Sequence, residues 1–279
     1  MKSSYFASLL GALLALSGTT TQAGTMGPAQ ISATEKIYFG VFGGGGSSNQ
    51  VKMNQYGTTF FSEILGGPLA ITAFGRTNNR NVEFIGGHIG YEWQDIFLNA
   101  FNTQASLSPA IELEGYYVGK SSFTGHTINN DTTRLAEYDF LVTYPMSADV
   151  FLTNTVLNFK SANFARLNPY VGAGIGAAIL SISNANSLQL NPLEADVNHY
   201  NGNPNDKVAA FAAQTKAGLN FALNEHFSIF GEYRWLYMAD TSFTFGSTSY
   251  LTHAPTSSWN TKLGAQYYNM GAGGIRFTV

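Results

Sequence analysis

The sequence contains no cysteine and few charged residues. Only 11% of its 279 residues are Asp, Glu, Lys or Arg, whereas a typical soluble domain has about 25%. The absence of cysteine excludes disulfides and thiolate chemistry. So few charged side chains cannot comfortably cover an ordinary water-exposed surface. The net charge is −3 and no basic cluster is visible in the sequence, which argues against a nucleic-acid partner.

Long hydrophobic runs are also missing, except for a short one at the N-terminus. Lys2, the apolar core "YFASLLGALLALSG" and the small residues up to Ala23 predict a secretory signal peptide at 1–23. This core is shorter than the roughly 20 residues that a spanning helix needs. After Ala23 no segment has 18 consecutive apolar residues. Membrane helices are therefore excluded from the mature chain, and a closed β-barrel is the remaining way to span a bilayer.

Glycine and aromatic residues are abundant, with 30 glycines and 14% aromatics. The stretch "NPYVGAGIGAAIL" (168–180) tests whether they follow the period of a helix or of a strand. Val171 and Ile175 fall on one face at a period of two, while Gly172 and Gly174 fall on the other. A helix would mix these two sets and would be weakened by its glycines. The alternation therefore predicts a strand with an apolar face that can meet lipid.

The same alternation recurs along the chain and predicts eight strands. They are 37–45, 86–93, 110–118, 149–159, 168–180, 209–223, 226–238 and 271–279. The connections alternate between long (46–81, 122–147, 184–207, 241–262) and short (98–106, 160–167, 223–226). This pattern predicts an all-β fold, a transmembrane antiparallel up-and-down β-barrel with long extracellular loops and short periplasmic turns.

The number of strands depends on two further segments. Residues 71–75 and 134–145 also have strand character, and both together would give a barrel of ten strands. Alternatively, they extend the wall above the membrane or form loop hairpins, which is the interpretation we favour. The predicted domains are a signal peptide at 1–23, a periplasmic lead at 24–36 and the barrel at 37–279.

Charged residues in the predicted strands fall on the face opposite the apolar side chains, so they should point inward. The predicted interior polar cluster is Glu92, Glu112, Glu114, Lys216, Glu232, Arg234 and Arg276. We expect Glu232 to bridge Lys216 and Arg276, and Arg234 to meet a carboxylate across the lumen. The interior either passes small polar solutes or forms a polar plug. The plug is favoured, because an eight-stranded barrel is just wide enough for its own side chains.

Aromatic residues near the strand ends predict the two membrane interfaces, where amphipathic rings are favoured. The expected interface aromatics are Trp93, Tyr170, Trp235, Tyr237 and Phe277.

Catalysis would need a nucleophile beside a histidine that a carboxylate orients. No predicted strand places a histidine and a serine together at the outer rim, and His126 and His253 lie in loops. We therefore expect no enzyme, and we predict neither a metal site nor a cofactor.

Several strands carry a family resemblance. "NPYVGAGIGA", "GEYRWLYM", "GAGGIRFTV", "GGHIGYEW" and "IELEGYY" resemble strands of the OmpA-like, opacity-type family of small outer-membrane β-barrels. The resemblance implies an eight-stranded barrel on the surface of a Gram-negative bacterium, surrounded by outer-membrane lipid. It also implies insertion by the barrel-assembly machinery, which usually reads a terminal aromatic residue. Here Phe277 stands two places before Val279.

Three classes of function remain at this stage. The first is a structural and surface-interaction role, adhesin- or antigen-like, in which the long loops meet host or other cell-surface ligands. The loops are rich in Tyr, Phe, Ser, Thr and Asn, a composition that suits adaptable recognition. The alternative is a narrow porin-like channel. A lipid-modifying outer-membrane enzyme is the third and least supported class.

Overall fold

The computed structural model describes residues 35–97, 105–161, 166–193, 204–249 and 254–279. The predicted signal peptide and residues 24–34 of the predicted lead lie outside this description, and so do His199 and His253. No helix in the described part of the chain is long and apolar enough to cross a membrane. Among the described residues, one 3-10 turn, Glu63–Leu65, lies between two strands.

The described residues form strands β1 to β14. Their bounds are β1 Lys36–Ser48, β2 Lys52–Thr59, β3 Leu69–Thr77, β4 Asn81–Glu92, β5 Ile96–Phe97, β6 Ala105–Asn129, β7 Asp139–Ser161, β8 Leu167–Ile182, β9 Asn186–Asn191, β10 Asp206–Ala222, β11 Phe227–Met238, β12 Thr241–Phe245, β13 Trp259–Leu263 and β14 Gln266–Thr278.

Eight of these strands close into a ring of antiparallel neighbours. The order around the ring is β1, β4, β6, β7, β8, β10, β11 and β14, and β14 pairs again with β1. Each ring strand lies beside the previous ring strand along the chain, so the topology is up-and-down. The ring contains the eight segments that alternation predicts, and the predicted fold class is confirmed.

Five of the remaining strands extend the wall at one end of the ring, while β5 pairs with the beginning of β6 at the other end. β12, β13, β2 and β3 pair in that order and join the far half of β6, while β9 pairs with the beginning of β7. Residues 71–75 therefore lie in a hairpin strand, and residues 139–145 of the second segment begin β7. Neither adds a strand to the ring. The long predicted loops are in large part folded into β structure.

Two ring strands are much longer than a membrane crossing requires. β6 has 25 residues and β7 has 23, whereas a tilted strand spans a bilayer with about 9–11. They pair from Ala105↔Ser161 to Ile128↔Asp139, with one irregularity near Val118. The wall therefore continues well past the apolar band of the barrel, and we call this part the extension.

Strand β8 shows how the sequence separates the two faces of the wall. Val171, Ile175 and Ile179 are exposed on the outside, while Ala178 and Leu180 are fully buried inside. At inward Gly174, a Cβ atom would lie within 3 Å of the Asn154 amide and of the Thr153 carbonyl oxygen, so a side chain there would force its neighbours to shift. Outward apolar residues and small inward residues together permit a narrow closed barrel.

The core lies inside the ring and the extension, and it changes character along the barrel. On β11 the inward side chains run from Glu232 and Arg234 to Leu236 and Met238, all buried. The interior toward the extension is mainly apolar, although Gln55, Thr127 and Gln266 are also buried there, and we call it the apolar layer. Its members include Val51, Met53, Phe123, Val142, Met146, Leu180, Leu236, Met238, Phe243 and Leu263.

Candidate functional site

The charged side chains of the interior come from five neighbouring or facing strands. β4 supplies Glu92, β6 supplies Glu112 and Glu114, β10 supplies Lys216, β11 supplies Glu232 and Arg234, and β14 supplies Arg276. The structure buries all seven, each at most 9% exposed. Six of them lie in one connected network, which we call the charged layer, and Glu92 lies apart toward the barrel end with the short turns.

Glu114 is the centre of the charged layer. Its carboxylate accepts hydrogen bonds from Arg234 Nη1 at 2.6 Å and from Lys216 Nζ at 3.0 Å. The side-chain amides of Gln214, at 2.8 Å, and Asn154, at 3.4 Å, complete its partners. A buried carboxylate with two cations and two amides is fully compensated, as burial of a charge requires.

Glu112 links the second part of the layer. Lys216 also bonds its Oε2 atom, so the Lys216 ammonium lies between the two carboxylates of β6. Tyr38 donates its hydroxyl to Glu112 Oε1 at 2.8 Å, and Arg276 Nη2 approaches the same atom at 3.5 Å. The Arg276 guanidinium carbon lies 4.3 Å from the centre of the Tyr38 ring.

Arg234 is fully buried and marks the border of the charged layer. Its Nε donates to Glu232 Oε1 at 2.6 Å, and its Nη2 also contacts that carboxylate. The guanidinium carbon lies 3.9 Å from the centre of the Phe42 ring, 5.5 Å from Tyr116 and 5.8 Å from Phe84. These rings add cation–π attraction to the two carboxylate contacts.

Glu232 does not bridge Lys216 and Arg276, contrary to the expectation above. Lys216 lies directly opposite Arg234 across β10 and β11, whereas Glu232 lies opposite Gly218 and Ala272. Because neither Gly218 nor Ala272 has a side chain that can pair with a carboxylate, Glu232 binds Arg234 on its own strand. The other oxygen of Glu232 accepts a hydrogen bond of 2.8 Å from the Tyr170 hydroxyl, across the space above Gly218. Arg234 does meet a carboxylate across the lumen, that of Glu114.

Tyr170 corrects the predicted set of interface aromatics, because it points into the barrel and is 2% exposed. The reason is the period of two, which places Tyr170 on the inward face with Gly172. The other four residues lie on the outside. Trp93 and Phe277 are exposed near the short-turn end, and Trp235 stacks with Tyr237 toward the extension.

Glu92 belongs to a separate polar group at the short-turn end. Lys160 Nζ bonds Glu92 at 2.7 Å and Asp95 at 2.9 Å, and Asn158 donates to Glu92 at 2.9 Å. Burial raises the pKa of Asp95, but hydrogen bonds from Ser108 and Lys160 outweigh it and hold the pKa below its ordinary value. A cavity of about 110 Å³ opens here, and Arg276 belongs to its wall.

His88 is buried in the lumen without a hydrogen-bond partner at either ring nitrogen. It packs among the rings of Tyr38, Phe42 and Phe230. A ring nitrogen of His88 and oxygens of Glu112 and Glu114 lie within 4.8 Å of one another, a spacing that a metal ion could use. The two carboxylates already bind Lys216, Arg234 and Arg276, so a cation there would have to displace an ammonium or guanidinium group.

Sequence reasoning missed several members of the interior. Tyr38, Asn154 and Gln214 are uncharged, but the period of two places each of them opposite the outward apolar residues of its strand, so parity could have identified them. Lys160 and Asp95 stand next to or within short connections, and no pattern in the sequence marks their contact.

No protein-family model and no curated protein sequence match this chain. Solved structures of outer-membrane proteins do match its fold. The outer membrane protease OmpT from Escherichia coli aligns over 90% of this chain and 99% of its own, with 9% identity and a TM-score of 0.41. OprG from Pseudomonas aeruginosa aligns over 86% of this chain and 95% of its own, with 12% identity and a TM-score of 0.38.

Neisserial surface protein A aligns over 82% of this chain and 97% of its own, with 11% identity and a TM-score of 0.28. Because these identities and TM-scores are low, the fold is assigned from the closed ring of strand pairs in this chain itself.

Proposed function

We propose that this chain is a Gram-negative outer-membrane β-barrel with a structural and surface-interaction role, and that its interior is closed to solutes. The observation that carries the proposal is the filled lumen. The charged layer and the apolar layer lie one above the other, so a solute would have to displace both.

The outer surface of the ring supports a location in a membrane. Large apolar side chains are exposed on all eight ring strands, and in water such a continuous band would be an aggregation liability. In an outer membrane it matches the apolar belt of transmembrane barrels. The belt includes Ile37, Phe39, Val41, Ile85, Ile89, Ile111, Leu113, Phe151, Leu157, Val171, Ile175, Ile179, Phe211, Leu219, Ile229, Tyr233 and Ile275.

The two ends of the barrel support its orientation. One end has the beginning of β1, the end of β14 and the tight turn at 223–226. The other end has the extension with the β2–β3 and β12–β13 hairpins. Short turns are periplasmic and long connections extracellular in such barrels, so the extension would lie outside the cell. There it could meet host or cell-surface ligands, whereas outer-membrane lipid and the barrel-assembly machinery would be partners of the ring.

The alternatives have less support. A porin-like channel would need a continuous polar path, which the apolar layer interrupts. An enzyme would need an activated nucleophile. Within the described residues, His126 bonds Asp139, His226 bonds the Thr278 carbonyl and His88 is unpaired, so none of the three hydrogen-bonds a hydroxyl.

Epitope tags on intact cells would test the orientation. A tag inserted in the β2–β3 connection at 60–68 should be reached by antibody, and so should one at 246–249. A matched tag in the turn at 223–226 should be reached only after the outer membrane is permeabilised. Labelling of the turn but not of the connection on intact cells would refute the proposal.

A further inference from the structure

Four cations gather on the outer face of the extension although they are far apart in sequence. Lys52 on β2, Arg76 on β3 and Lys262 on β13 are exposed, and Arg80, in the connection between β3 and β4, is half-buried. Lys52 lies directly opposite Arg76, and Lys262 lies opposite Asn54, two residues along β2. We call this group the basic face.

Within the described part of the chain, no acidic side chain neutralises the charges of the basic face. None of the four forms a salt bridge with any acidic residue that the structure describes. On the neighbouring strands, Asp139 is bonded to His126, and Glu83 is exposed on β4. Like charges placed directly opposite in a sheet are destabilising. The pairing of Lys52 with Arg76 is therefore unfavourable unless an anion lies over it.

The side chains around these cations suit a sugar that carries anionic groups. Lys262 Nζ lies 5.3 Å from the centre of the Tyr56 ring, which is half-buried on the outer face. Asn54 lies between the cations and offers an amide. Arg80 uses one Nη atom on the Thr124 hydroxyl, at 2.6 Å. Guanidinium and ammonium groups bind phosphate, while an amide and an aromatic ring suit a saccharide.

The basic face lies beyond the extracellular edge of the apolar belt. The distance between the two can be followed along β6. Arg76 lies opposite His126, roughly nine residues beyond Tyr117 along β6. At about 3.3 Å per residue and the usual tilt, this corresponds to about 20 Å. A headgroup phosphate at the edge of the belt would not reach it. Exposed Lys120 lies between the two levels, so cations continue from the belt upward.

We propose that the basic face binds the phosphorylated saccharide of a glycolipid anchored in the surrounding outer leaflet. This rests on the proposed location in the outer membrane with the extension outside. An anchored saccharide would pass Lys120, and its tether would hold it at a high effective concentration beside the wall. The height of the face favours an extended charged saccharide over a simple phospholipid headgroup.

The test uses the full mature chain, folded in phosphatidylcholine vesicles that contain a phosphorylated bacterial glycolipid. The variant Lys52→Gln/Arg76→Gln removes the opposed pair, and the control Arg166→Gln/Lys207→Gln removes two exposed cations elsewhere. Glycolipid retained by the solubilised barrel and the melting temperature are measured. We expect retention to fall about tenfold in the variant and to stay unchanged in the control.

Two further arms identify the ligand. Dephosphorylated glycolipid should bind the wild type as weakly as the variant binds the phosphorylated form. In vesicles without glycolipid, the variant should melt at or above the wild-type temperature, because a repulsion has been removed. Equal retention by variant and control, or retention independent of phosphate, would overturn the proposal. Stronger binding of a soluble sulfated polysaccharide through the same two residues would overturn the assignment to a membrane glycolipid.

These results are separable from the proposed function. If tags show the extension outside the cell and the glycolipid binds independently of Lys52 and Arg76, only the basic-face proposal fails. If tags show the extension in the periplasm, the proposed orientation fails first.

Discussion

The charged layer and the apolar layer fill the same barrel by different means. Arg234 and Leu236 are neighbouring inward positions on β11, and both are fully buried. Arg234 is fixed by named partners, two carboxylates and three aromatic rings, whereas Leu236 is fixed by packing alone. A buried charge loses its compensation when one partner is removed. An apolar core loses contact area and gains a cavity. The two layers should therefore respond differently to substitution.

The largest effect should come from Arg234→Met. It leaves Glu232 with only the Tyr170 hydroxyl and removes one of the two cations on Glu114. We expect the free energy of unfolding to fall by about 4 kcal/mol, measured by urea titration of the barrel in vesicles. The double variant Arg234→Met/Glu232→Gln should recover part of this loss, because it removes the orphaned carboxylate. A double variant as unstable as the sum of both single variants would show that the pair is not coupled.

The apolar layer should lose somewhat less. Leu236→Ala should lower the free energy of unfolding by about 3 kcal/mol, through lost transfer energy and a cavity. No second substitution of a charged residue should rescue it. If Glu232→Gln changed the stability of the Leu236→Ala variant differently from that of the wild type, the two layers would not be independent.

Glycines on the two faces of one strand give a smaller contrast. A methyl group at Gly274 would meet the Phe230 ring and the Val41 carbonyl, whereas one at Gly271 would meet nothing within 4 Å. Gly274→Ala should therefore cost about 2 kcal/mol through overpacking. Gly271→Ala should be neutral or slightly stabilising. Equal effects in the same urea titration would mean that the inward and outward faces of β14 are wrongly assigned.

The smallest effect should concern Asp95 at the short-turn end. Its folded-state pKa lies below the ordinary value, so its contribution is present at neutral pH. The stabilisation by the Asp95 carboxylate begins to be lost when the pH falls below its pKa in the unfolded chain, about 3.9. It is lost completely once the pH has fallen through the lower pKa of the folded state. Wild type should melt slightly above Asp95→Asn near neutral pH, and the difference should vanish at low pH. If the difference in melting temperature grew as the pH fell, the folded-state pKa of Asp95 would be raised rather than lowered.

Much of this arrangement follows from strand parity in the sequence. Parity separates inward Glu112 and Glu114 from outward Ile111 and Leu113, and applied consistently it also places Tyr170 inside. The partner of each charge cannot be read this way, because it depends on the register between strands. Lys216 lies opposite Arg234 rather than Glu232, and nothing within either strand fixes that offset.

The extension was harder to predict than the ring. Its strands lie within long connections, where alternation over short segments does not distinguish a hairpin from a loop. The apolar layer there combines residues such as Met53, Leu180 and Phe243, which only the strand pairing brings together. The same holds for the basic face. Lys52, Arg76 and Lys262 form no cluster in the sequence, and the β13–β2–β3 pairing assembles one.

The claim that both layers close the lumen is tested most directly by electrical recording. Purified full-length mature protein, confirmed as folded by heat-modifiable gel migration, would be inserted into planar bilayers at neutral pH. The filled interior predicts no steady conductance above that of the bare bilayer. Stable, voltage-independent open-channel steps from the wild-type protein would contradict a sealed barrel and would favour a porin-like channel.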